Sequence, residues 1–148
     1  MDNYYFGKVC LIEDNPIDVL LLKQAIHYAR FAKEVIVFEG PAIALNWFKT
    51  QSPQTSDLPE MIFLDLNMPK YNGFELIDKM SQELHPKIFK QCQFSIVTSS
   101  SDPNDIIRST TYKNVLAYLT KPVEFKDLQP ENFLTLKENY FRQRNMMW

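Results

Sequence analysis

Short apolar runs recur along the chain at residues 9–12, 35–38, 61–64, 94–97 and 115–119. They are brief, rich in Val, Ile, Leu and Phe, and do not alternate with polar residues, which is the form of strands buried on both faces. Longer segments of helical period lie between them. Residues 16–28 carry Ile17, Leu20, Leu21, Leu22, Ala25 and Ile26 and open on Pro16, whose fixed φ suits a first helical turn. Residues 41–49 repeat the pattern with Ile43, Leu45, Trp47 and Phe48, and residues 73–84 with Phe74, Ile77 and Met80. Asp102-Pro103 reads as an N-cap followed by Pro at the first helical position; it opens a short fourth helix through Ile106 and Ile107 that has few apolar anchors. A fifth helix is expected at about 126–142, with Phe133, Leu136 and Tyr140 on one face and its regular part starting at Pro130. Residues 50–60, rich in Gln, Ser, Thr and Pro, read as a surface loop. The alternation of strand and helix predicts an α/β domain around a parallel sheet.

At 148 residues the chain has the length of one domain, expected to span 1–148 with its core at about 8–142 and a short C-terminal tail. Hydrophobic residues make up 45% and charged ones 23%, which excludes the composition of a disordered chain. The net charge is −2 and Lys and Arg are nowhere clustered, so no nucleic-acid partner is expected. No segment approaches the roughly 20 apolar residues of a membrane span, and no basic stretch leads into an apolar one at the N-terminus. No membrane partner is expected, and the expected compartment is the cytoplasm. The only glycines are Gly7, Gly40 and Gly73, too few and too scattered for a glycine-rich phosphate loop. His27 and His85 stand singly, without a partner at metal-ligand spacing, and read as structural or solvated. Cys10 and Cys92 lie within or beside apolar runs and read as buried, reduced thiols.

Open parallel sheets bind their ligands outside the carboxyl ends of the strands. At those ends stand Glu13-Asp14, Asp65, Thr98-Ser99 and Lys121-Pro122. Hard oxygen ligands at this density suit Mg²⁺. The formal charges of the three carboxylates, the Lys121 ammonium and Mg²⁺ cancel, leaving room for a phosphoryl group. Asp65 would attack phosphorus, Mg²⁺ and Lys121 would hold the equatorial oxygens, and the Thr98 hydroxyl would donate to one of them. Each residue also has a plainer reading. Glu13-Asp14 with Asn15-Pro16 can form a helix-capping turn, Thr98 and Ser99 can cap, Lys121 can be a solvated charge and Tyr118 a packed aromatic. Their ordered occurrence at strand ends favours a site.

Glu13-Asp14, Asp65-Leu66-Asn67-Met68-Pro69, Gly73, Thr98-Ser99, Tyr118 and Lys121-Pro122, in this order, resemble the motifs of response-regulator receiver domains over about residues 8–140. These domains are the phospho-accepting switches of two-component systems. The resemblance implies a flavodoxin-like, doubly wound five-stranded parallel sheet in the order 2-1-3-4-5 with five helices, in which Cys10 and Cys92 do not fall on neighbouring strands. It implies Asp65 as acceptor of a phosphoryl group from a histidine kinase or histidine phosphotransfer protein. Mg²⁺ would be bound by Asp14, Asp65 and the Asn67 backbone carbonyl, and by Glu13 through a water. It also implies a cis Lys121-Pro122 bond, and a switch in which Thr98 and Tyr118 alter the surface of the fourth helix, fifth strand and fifth helix. That surface would meet a downstream protein target or serve onward phosphotransfer, the protein being a monomer or weak homodimer that catalyses only its own phosphorylation and dephosphorylation. Glu13 stands where Asp is usual, one methylene longer, which alters how the metal's water is held. A Mg²⁺-dependent hydrolase with an Asp nucleophile would carry a second acid at the position of Asn67. A pseudo-receiver would lack the acceptor or the lysine, and this chain has both. About eight residues follow Tyr140, so output is expected through protein contact or phosphotransfer rather than an attached effector.

Overall fold

The computed structural model describes residues 3–54 and 57–129. Five strands, β1 (Phe6–Ile12), β2 (Ala32–Phe38), β3 (Met61–Leu64), β4 (Phe94–Thr98) and β5 (Val115–Thr120), form one sheet in the order β2-β1-β3-β4-β5. Every pairing is parallel. The helices are α1 (Pro16–Tyr28), α2 (Pro41–Lys49), α3 (Gly73–Glu83), α4 (Pro86–Phe89) and α5 (Pro103–Ser109), with a 3₁₀ turn at Phe125–Leu128.

Successive residues on each strand face opposite sides, which explains why the strands read as unbroken apolar runs. Cys10, Ile12, Ile62, Leu64, Phe94 and Ile96 pack with Ala44, Leu45 and Phe48 of α2 and Phe74, Ile77 and Met80 of α3. Val9, Leu11, Met61, Phe63 and Val97 pack on the other side with Leu22, Ala25 and Ile26 of α1 and with Val123 and Leu128. Cys10 and Cys92 are buried and unpaired, on β1 and just before β4, which are not neighbours.

Two details differ from the sequence reading. β1 and β2 each begin three residues earlier than their apolar runs, because the pairing starts at Phe6 opposite Ala32. Lys33 and Glu34 are exposed on the outermost strand, so polarity there does not interrupt the ladder. The turn α4, capped by the His85 side chain accepting from the Lys87 N–H, was not expected, and it makes the anticipated fourth helix α5. The anticipated last helix falls mostly outside the described residues; its first part, at Lys126, lies in the 3₁₀ turn.

As its composition implies, α5 is held weakly by the core: Ser109 is its only buried residue, while Ile106 and Ile107 are exposed. Arg108 instead lies 4.6 Å over the Phe74 ring, and Tyr112 stacks on Phe74 at 5.5 Å. Among the described residues no helix is long and apolar enough to cross a membrane.

Candidate functional site

The site is assembled by strand register. Ile12 pairs with Leu64, and the Asp65 N–H donates to the Ile12 carbonyl at 3.2 Å, so Glu13 and Asp65 leave β1 and β3 side by side. Thr98 pairs with Thr120, and the Lys121 N–H donates to the Thr98 carbonyl at 2.8 Å, which brings Lys121 alongside them. The Lys121-Pro122 bond is cis, as anticipated. Asn15 caps α1, its side chain accepting from the Ile17 and Asp18 N–H groups. The capping turn and the acidic site therefore coexist in one segment, with Glu13 buried and Asp14 exposed.

Gly73 is required by close approach. A Cβ there would lie 2.8 Å from the Asp65 carbonyl and 3.1 Å from Leu66. Its N–H donates to the Leu66 carbonyl at 3.1 Å, so the first residue of α3 braces the segment that presents Asp65.

Within the pocket the Lys121 ammonium donates to Glu13 Oε1 at 2.7 Å and to Asp18 Oδ2 at 2.8 Å, and lies 3.4 Å from Asp65 Oδ2. Asp65 Oδ1 accepts from the Asn67 N–H at 3.1 Å. The Thr98 hydroxyl oxygen accepts from Asn67 Nδ2 at 3.3 Å and from the Ser100 N–H at 3.1 Å. The Ser100 hydroxyl bonds Asp105 of α5 at 2.7 Å, and the Tyr118 hydroxyl donates to the Ser100 carbonyl at 2.9 Å. Glu13, Asp65 and Thr98 are 6%, 5% and 0% exposed, so all three sit in a low-dielectric setting.

Carboxylate oxygens of Glu13, Asp14 and Asp65 lie within 4.8 Å of one another, a cluster able to hold a metal ion. Burial pushes the Glu13 carboxyl up to about 9, the neighbouring Asp65 acts in the same direction, and Lys121 opposes both without cancelling them. Burial disfavours the charge on Lys121, but Asp18, Glu13 and Asp65 outweigh it and raise its pKa. Lys121 in turn holds the Asp18 carboxyl below its ordinary value. The second Glu13 oxygen, Oε2, is buried without a hydrogen-bond partner among the described residues. A hard cation, or a water bound to one, fits that orphaned acceptor and the excess of acid around it.

Glu13, Asp14, Asp65, Asn67, Thr98 and Lys121 meet here, and Tyr118 is joined to Thr98 through Ser100. Asp18 and Ser100 were not foreseen. Asp18 had a signal: it stands four residues before Leu22 and eight before Ile26, an acid on the core-facing stripe of α1. Its inclusion changes the picture of Lys121, whose ammonium is shared by three carboxyl groups, those of Glu13, Asp18 and Asp65. Ser100 had none, because it follows Thr98-Ser99 in a run of serines and nothing in the run marks which one bonds.

The response regulator receiver domain model matches residues 9–131. Response regulator Rcp1 of Synechocystis sp. is 30% identical over 121 residues, covering 81% of this chain and 80% of that protein. Among solved structures, a two-component response regulator from Cytophaga hutchinsonii superposes with a TM-score of 0.76 at 24% identity, over 95% of this chain and 99% of its own. The Mn²⁺-bound form of Rcp1 superposes with a TM-score of 0.64 at 27% identity, over 89% and 90%. A parallel sheet in this order, an acidic pocket at its carboxyl edge and a family match over most of its length place the chain in the response regulator receiver domain family.

Proposed function

We propose that the chain is a Mg²⁺-dependent signalling switch that accepts a phosphoryl group on Asp65. The observation that carries this reading is the placement of Asp65. It is a buried carboxylate at the end of the central strand, 3.4 Å from an ammonium and within a cluster of acidic oxygens that calls for a cation.

Asp14, Asp65 and the Asn67 backbone carbonyl would hold the ion, with Glu13 reaching it through a water; a relative's Mn²⁺-bound form supports a divalent ion. When bound, Mg²⁺ supplies positive charge to the phosphoryl oxygens. In the transfer, an Asp65 oxygen forms the bond to phosphorus while the bond to the donor's nitrogen or acyl oxygen breaks, its electron pair leaving with the donor. Lys121 and Thr98 stabilise the charge on the transferred oxygens. Thr98 must then loosen from Asn67 and Ser100, and Ser100 carries the change to Asp105 of α5 and to Tyr118 of β5.

In this reading residues 1–148 act as one cytoplasmic receiver domain. It is phosphorylated by a histidine kinase or histidine phosphotransfer protein and delivers its output through the α5 and β5 surface, as monomer or weak homodimer, to a protein target or by onward phosphotransfer. The test is incubation with Mg²⁺ and acetyl phosphate followed by intact-mass measurement. One phosphoryl group should be gained, and it should be lost with chelator or in Asp65→Asn. Stoichiometric labelling of Asp65→Asn would remove Asp65 from the role, and an unlabelled wild type would leave a binding module in place of a phospho-switch.

A further inference from the structure

Lys121 has three N–H groups to place, and the structure shows where they go: Glu13 Oε1 at 2.7 Å, Asp18 Oδ2 at 2.8 Å and, at a looser 3.4 Å, Asp65 Oδ2. Two short bonds fix the ammonium, and the weakly engaged direction faces the acceptor. We propose that Asp18 is a positioning residue for phosphoryl transfer: together with Glu13 it anchors Lys121 so that its remaining N–H faces the phosphoryl oxygens arriving at Asp65. The proposal rests on the receiver reading above and adds a residue of α1 to its machinery.

The frame around Asp18 suits that role. Its backbone N–H is taken by the Asn15 cap at 3.3 Å, and α1 is packed on the sheet through Leu22, Ala25 and Ile26, so the carboxylate is presented by a fixed element. A cavity of about 20 Å³ is lined by Glu13, Asp18, Asp65 and Lys121 themselves, together with apolar residues such as Phe63 and Val97. It has room for about one water. The Lys121 side chain is only 17% exposed, and its two short bonds to carboxylates set the direction of the ammonium. A flexible four-carbon stem otherwise has many rotamers, and a charge aimed at the transition state acts strongly only when it is pre-oriented.

An acid in the first turn of a helix also has a plainer role, favouring the positive end of the helix dipole. That role supports folding and has no effect specific to Lys121, so a double-mutant cycle separates the two. The rate of Asp65 labelling by acetyl phosphate at saturating Mg²⁺ is measured for wild type, Asp18→Ala, Asp18→Asn, Lys121→Ala and the Asp18→Ala/Lys121→Ala pair. Mg²⁺ binding is measured by calorimetry in parallel. Asp18→Ala should slow labelling by roughly three- to ten-fold, since an ammonium that is present but misdirected forfeits part of its effect. Asp18→Asn, which keeps an acceptor oxygen without the charge, should fall between Asp18→Ala and wild type. In the Lys121→Ala background Asp18→Ala should cause no further loss, and Mg²⁺ affinity should change far less than in Asp14→Ala. A wild-type or faster rate in Asp18→Ala overturns the proposal, the faster rate meaning that Asp18 merely repels the incoming anion. A penalty of full size in the Lys121→Ala background also overturns it. Both results leave the receiver reading standing as long as wild type is labelled and Asp65→Asn is not.

Discussion

Asp65 follows four fully apolar residues on the middle strand, and a charge in that position has to be met inside the protein. Lys121 and the Asn67 N–H serve that need, so Asp65, Lys121 and Glu13 could be read from strand ends alone. Asp18 could not, because an acid near a helix start has an ordinary explanation in the dipole, and only its place on the buried stripe separates the two. Gly73 belongs to the same scale. Adding a methyl group 2.8 Å from the Asp65 carbonyl forces the Asp65 segment or α3 to move. Gly73→Ala should therefore lower stability by about 1–3 kcal/mol and slow phosphorylation, measured by denaturant unfolding and mass labelling. Unchanged stability would mean the contact is relieved without cost. The thiols give an independent check of the core. Cys92 is 2% exposed, with its thiol pushed up to about 12 by burial, and Cys10 is raised still more strongly. A raised thiol pKa means that the reactive thiolate is absent at pH 8. Neither cysteine should react with an aromatic disulfide reagent at pH 8 until denaturant unfolds the chain; rapid labelling of the native protein would contradict the core described.

The strands followed the apolar pattern where their residues are buried and extended beyond it where they are not, as at the exposed start of β1. β3 matched its run residue for residue, whereas β2, on the sheet edge, holds Lys33 and Glu34 in its ladder and so begins before its hydrophobicity does. α4 escaped notice because a four-residue turn capped by His85 has no room for a period. The weak anchoring of α5 was visible in its sequence, and the structure supplies the consequence. α5 is tied to the site by Ser100, whose N–H meets Thr98, whose carbonyl meets Tyr118 and whose hydroxyl meets Asp105. Thr98→Ala should leave Asp65 able to take a phosphoryl group while weakening the response of α5. The lost contact is one made to phosphoryl oxygens only in the modified state, and a contact of ~1.5–3 kcal/mol shifts a two-state ratio by roughly ten- to a hundred-fold. The check is the NMR shift change of α5 and Tyr118 on adding beryllofluoride with Mg²⁺. A full wild-type response in Thr98→Ala would show that the signal takes another route.

For the whole molecule, the sheet is covered by apolar packing on both faces and gathers its unfavourable charge at one edge. Glu13, Asp18 and Asp65 surround the Lys121 ammonium there, Asp14 adds a further acid beside Glu13 and Asp65, and one Glu13 oxygen is buried without a partner among the described residues. Such a pocket opposes folding in the absence of a cation, through like-charge repulsion and the desolvation of Glu13. An ion that binds the folded pocket and not the unfolded chain stabilises the fold by mass action, about 2.7 kcal/mol at a hundred times its dissociation constant. For a chain of this length that corresponds to a rise in Tm on the order of 5–10 °C. Saturating Mg²⁺ should therefore raise the Tm of the chelator-treated protein by about this amount, as read by scanning calorimetry at constant ionic strength. Asp14→Ala should begin from a higher cation-free Tm, because one repelling charge is gone, and should gain less from Mg²⁺, because one ligand is gone. The opposite signs of these two effects distinguish a metal pocket from a general salt response, in which wild type and variant would shift together. If the variant's cation-free Tm is not raised and its Mg²⁺ gain equals that of wild type, Asp14 is neither a source of the repulsion nor a ligand. The ion would then have to be held by Glu13 and Asp65 without it.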